Sequence, residues 1–194
     1  MFKYFKYMYL VMVSLDKVSL DKYVHEGKSL DTLLSCAKNQ ISLGSNIEHL
    51  RECIRYSGDG GAEFAEFLYE GSFSRGDMLV EMAEKGGRPG DRNLMCWAAM
   101  EYVAAASIAQ DCGFVNDKVT AAAFQAYRIF TDMEPDKRKT QEDERFVSRL
   151  LAYAVADTFN LDKDKLSWIR DETIREMDKL RHMARREVAQ GAIY

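Results

Sequence analysis

The sequence predicts a mainly α-helical protein, a multi-helix bundle of about eight helices with a short N-terminal extended or β arm. Three observations predict it. From Ser29 onward, apolar residues recur at the three- and four-residue steps of a helix face. The segment Leu94 to Ala109 is apolar on nearly every side, as in a helix surrounded by others. Residues 2–13, by contrast, are rich in Phe, Tyr and Val, and Phe5, Tyr7, Tyr9, Val11 and Val13 stand at the two-residue step of a strand face.

The arm comes first. After residue 13 a five-residue unit, Val13 to Lys17, is repeated as Val18 to Lys22, too short for a solenoid and read as local duplication with a second short strand. The expected division is an arm over residues 1–27 and one helical domain over 28–194. A lone two-stranded hairpin is marginal in water, so the arm is expected to pack on the helices or to self-associate through residues 2–13 in a homodimer.

Helical spacing then marks segments at 29–43, 46–57, 61–70, 75–85, 91–111, 115–131, 140–159 and 162–190, separated by Gly, Asn or Asp. Asp91 and Asp162 are expected N-caps, and Ser74 with Asp77 and Thr140 with Asp143 resemble capping boxes. Pro89 and Pro135 fall in connections. Trp97, Met100, Tyr102, Val103 and Ile108 among alanines mark 91–111 as the central helix. In the last segment Leu166, Ile169, Thr173, Met177, Leu180, Ala184 and Val188 make a single seam.

Composition excludes several classes. A chain of 194 residues that is 47% hydrophobic with two prolines is neither collagenous nor disordered. A net charge of −4 argues against a broad basic surface for nucleic acid. Cys36, Cys53, Cys96 and Cys112 lack C-x-x-C spacing, and a helix between the last two would hold them about 24 Å apart. They read as reduced thiols of a cytoplasmic protein. The run Tyr7 to Val13 is short and is followed by Ser14, Leu15 and Asp16 in place of a cleavage site, and Leu94 to Ala109, the nearest approach to a membrane span, is interrupted by Glu101. No membrane partner, cofactor or metal is expected.

The charge is uneven: residues 1–60 sum to +1, residues 61–115 to −5 and residues 116–194 to zero. Glu63, Glu66 and Glu70 share one helix face and suit a basic partner. Arg175, Lys179, His182 and Arg186 form a basic stripe near the C-terminus, where the helix dipole also favours cations. Arg88 and Arg92 flank a glycine-rich turn before a helix, a weak anion-binding arrangement. Glu101 interrupts the most apolar segment and is expected to be exposed or ion-paired, with Arg128 or Arg149 as partner.

No nucleophile–base set, G-x-S-x-G elbow or H-E-x-x-H accompanies these residues. The reading is therefore a cytosolic protein-binding module, an adaptor or inhibitor without catalysis of its own. Two alternatives stand beside it. One is a nucleic-acid-linked role, through the C-terminal stripe or by blocking a nucleic-acid-binding protein. The other is a helical enzyme with a site around Glu101.

Overall fold

The computed structural model describes residues 27–85, 91–133 and 141–191, leaving aside the side chains of 141–143 and 187–191. The expected arm up to residue 26, Arg88 and both prolines lie outside the described residues, as does Thr140. Seven helices follow one another: α1 (Leu30–Gly44), α2 (Ile47–Tyr56), α3 (Gly61–Lys85), α4 (Arg92–Asp111), α5 (Asn116–Asp132), α6 (Gln141–Thr158) and α7 (Lys163–Gly191).

Helix ends are set by local chemistry. Ser29 caps α1, its hydroxyl accepting from the Thr32 amide at 3.3 Å. Asp91 caps α4 in the same way, accepting from the amides of Asn93 and Leu94. Asp162 accepts from the Asp164 amide at 2.9 Å. Asn46, with φ 53°, turns the chain from α1 into α2. At the end of α4, Gly113 takes φ 67° and lets the Phe114 amide reach back to the Ala109 carbonyl at 2.9 Å. Asn160 and Leu161 close α6 similarly, on the Ala156 carbonyl.

Helices α3 to α7 pack each against the next in chain order. α1 lies on α6, and α2 bridges α1, α3 and α4. Two helices share the centre. α4 buries Cys96, Ala98 to Met100 and Tyr102 to Ala109, as its unbroken apolar character predicts. α6 buries Phe146 to Ser148 and Leu150 to Ala156, although its charged first turn disguises this in the sequence. Alanines along both helices let their neighbours approach closely. The α7 seam is buried at Ile169, Thr173, Met177 and Leu180.

One boundary is corrected. The expected helices 61–70 and 75–85 are one helix, so the described residues hold seven helices where about eight were expected. Gly71, Ser72 and Ser74 read as a break, yet Ser72, with Gly76 beyond it, supplies the small residues of a close contact. Ser72 is fully buried, and Gly76 faces the ring of Tyr102 so closely that only hydrogen fits. Asp77, expected to help cap a helix, instead accepts the Tyr102 hydroxyl at 2.6 Å across the α3–α4 interface.

Candidate functional site

Joining the two segments changes what the acidic region is. α3 carries Glu63, Glu66, Glu70, Asp77, Glu81 and Glu84 against Arg75 and Lys85, a net −4 on one helix. With about 100° of turn per residue, all six carboxylates fall in an arc about 60° wide. The inward side holds Ala65, Tyr69, Ser72, Gly76 and Ala83. Opposite it, beside the carboxylates, runs a line of exposed apolar residues: Phe67 at 70% exposure, Met78 at 50% and Met82 at 50%. Phe67 and Met78, eleven residues apart, fall within about 20° of each other on the helix. Phe64 stacks on Phe67 with ring centroids 6.4 Å apart. The outward face of α3 thus carries Phe67, Met78 and Met82, with Gly71, Ser74 and Lys85 among them, beside an acidic arc.

The expected acidic residues are placed unequally. Glu66 and Glu70 both pair with Lys118 from the first turn of α5, Glu70 at 3.4 Å. The Lys118 ammonium also lies over the rings of Tyr69, at 4.8 Å, and Phe114, at 5.4 Å. The hydrogen bond to Glu66 holds the Lys118 ammonium above its ordinary range. Glu63 and Glu84 stand exposed on α3, and Glu81 pairs with Lys85. Periodicity singled out Glu63, Glu66 and Glu70 but passed over Glu81, Glu84, Met78 and Met82. An unbroken helix through Gly71 and Gly76 is what puts the second set in line with the first.

The basic stripe on α7 is partly used by its own helix. Arg175 pairs with Glu172 at 2.7 Å, and Lys179 with the buried Glu176 at 2.7 Å. His182 and Arg186 are exposed. Asp178, the acid one turn before His182, lies 3.7 Å from Arg181. Arg92 pairs at 2.5 Å with Glu144 of α6, a carboxylate only 2% exposed, so this guanidinium ties two helices together. Glu101 pairs with Arg75 of α3 at 2.9 Å, where Arg128 or Arg149 was the expected partner. Arg149 instead donates to the Thr131 carbonyl and lies over the Trp168 ring at 5.8 Å.

A concavity of about 400 Å³ lies elsewhere, lined by Glu48, Arg51, Ile54, Arg55, Asp111 and Cys112. Arg51 spans it, pairing with Glu48 at 2.5 Å and with Asp111. Burial, and then the Asp111 carboxylate, push the Cys112 thiol up, which keeps it protonated near neutral pH. Among the described residues all four cysteines are free thiols, and no helix is long and apolar enough to cross a membrane. Comparison with protein-family models, curated proteins and solved structures finds no match.

Proposed function

We propose that this chain is a cytosolic protein-binding module, an adaptor or inhibitor, whose outward α3 face receives a basic amphipathic helix. The observation that carries the reading is the pairing of an exposed Phe67–Met78–Met82 line with six carboxylates beside it. Apolar anchors spread over about four turns match the one-sided anchors of a docked helix. Methionines adapt to varied side chains, which suits a recognition surface. The carboxylate arc favours a partner whose apolar side is flanked by Lys or Arg, and it steers such a partner in. The α7 stripe offers less to a polyanion, because Arg175 and Lys179 already hold acidic neighbours.

The test uses a synthetic amphipathic helix with leucines on one side and lysines along one flank, titrated calorimetrically. Phe67→Ser together with Met78→Ser should weaken binding at least tenfold, about 1.4 kcal/mol or more. Reversing Glu63, Glu81 and Glu84 to Lys should weaken it further at low salt than at high salt. Those three leave the Lys118 pairs intact, so the α3–α5 contact survives the change. Equal affinity for the double Ser variant and the unaltered chain would remove the reading.

A further inference from the structure

A different helix carries a second arrangement, independent of the α3 face. His49 and Cys53 stand four residues apart on α2, with Cys53 Sγ 3.8 Å from His49 Nε2. Thiolate and imidazole are the donors preferred by zinc-class cations. Bonds of about 2.3 Å to sulfur and about 2.0 Å to nitrogen at a tetrahedral centre put the two donor atoms about 3.6 Å apart. The pair therefore already stands at chelating distance, and a shift of a few tenths of an ångström completes the bite.

The surroundings are open. His49 is exposed, and Tyr56, two turns further along the same side of α2, is 89% exposed. Arg51, Arg55 and the concavity with Asp111 and Cys112 belong to the other side of the helix. Two donors are half of the four that zinc takes, and among the described residues no group of three His, Cys, Asp or Glu could hold a metal ion. Among the described residues, then, the pair has no third donor.

We infer that His49 and Cys53 form half of a zinc-class cation site that closes when a second copy brings the same pair. Two copies supply two thiolates and two imidazoles, the Cys₂His₂ set of closed structural zinc sites. A two-fold axis through the ion makes the interface self-complementary, with α2 facing α2. Each thiol releases its proton to solvent on coordination, so two protons leave per ion and two thiolates balance the divalent charge.

The experiment titrates the full reduced chain with zinc, and in parallel with cobalt, under light scattering and absorption spectroscopy. Expected are saturation at one ion per two chains, a doubled mass, and a thiolate-to-cobalt charge-transfer band. Cys53→Ser and His49→Gln should each abolish all three, while Cys112→Ser leaves them unchanged. Both variant positions lie on the open side of α2, and circular dichroism verifies that each variant keeps its helices. A charge-transfer band that persists in Cys53→Ser, or a saturated protein whose mass has not doubled, would overturn the inference.

Discussion

A methyl group added at Gly76 would lie 2.7 Å from Cε1 and 2.8 Å from Cζ of Tyr102. That ring has little room to yield, since its hydroxyl is bonded to Asp77 and its edge meets Phe73 at 5.2 Å between centroids. At Gly71, one and a half turns earlier, the same methyl would meet only a guanidinium nitrogen of Arg75 at 3.5 Å. Alanine in a helix is favoured over glycine by about 0.5–1 kcal/mol, whereas overpacking costs about 1–3 kcal/mol. Gly71→Ala should therefore raise stability by about half a kcal/mol or more, and Gly76→Ala should lower it by about 1–2 kcal/mol. Urea unfolding of the two variants shows whether the signs are opposite.

Tyr102 also sets a pH limit. Burial first, then the bonded Asp77 carboxylate, hold its phenol well above the ordinary range, and burial raises Tyr69, Tyr127 and Tyr153 as well. The unfolded chain sheds these protons near pH 10 while the native chain keeps them. Their contribution is therefore complete below about pH 10 and is lost as pH rises further. Tyr102→Phe should move alkaline unfolding to higher pH. In the difference between the two proteins, phenolate absorbance from Tyr102 should appear together with loss of the helical signal, and earlier phenolate formation would contradict this account.

α4 and α6 illustrate what pattern alone conveys about a helix. α4 declares itself through an unbroken apolar run, and the caps at Asp91 and Asp162 follow from short polar side chains ahead of helical spacing. α6 does not, because Glu144, Arg145 and Arg149 lie among its apolar residues. Glu144 is buried against Arg92, so a charge that signals solvent in the sequence signals the interior here. The join within α3 was hidden for a related reason. Local preference weighs Gly and Ser as breakers, while the contact with Tyr102 that demands a small residue comes from a helix 26 positions away. The same long-range pairing hides Lys118 as the counter-ion of Glu66, 52 residues apart. Central position should be read from mutation accordingly. Phe146→Ala, at a fully buried α6 site, should cost about 3–5 kcal/mol. Trp97→Ala should cost less than Phe146→Ala, since Trp97 is half-buried. Equal losses in denaturant would return α4 to sole central place.

Seen as one molecule, the fold is unevenly anchored. α4 and α6 are enclosed by their neighbours, but of the ten residues in α2 only Ile47 is buried. Its remaining hold on the body is partly polar, through Arg51 and Asp111. A ten-residue helix has little stability of its own, so α2 depends on those few ties. The consequence concerns time. Backbone amides of α2 should exchange with deuterated solvent through local openings, on a free-energy scale well below that of unfolding the protein. Amides in the middle of α4 and α6 should exchange only when the whole bundle opens, and their rates should track denaturant while those of α2 hardly respond. Mass-resolved hydrogen exchange distinguishes the two behaviours, and uniform protection across all seven helices would show α2 to be bound as firmly as the centre.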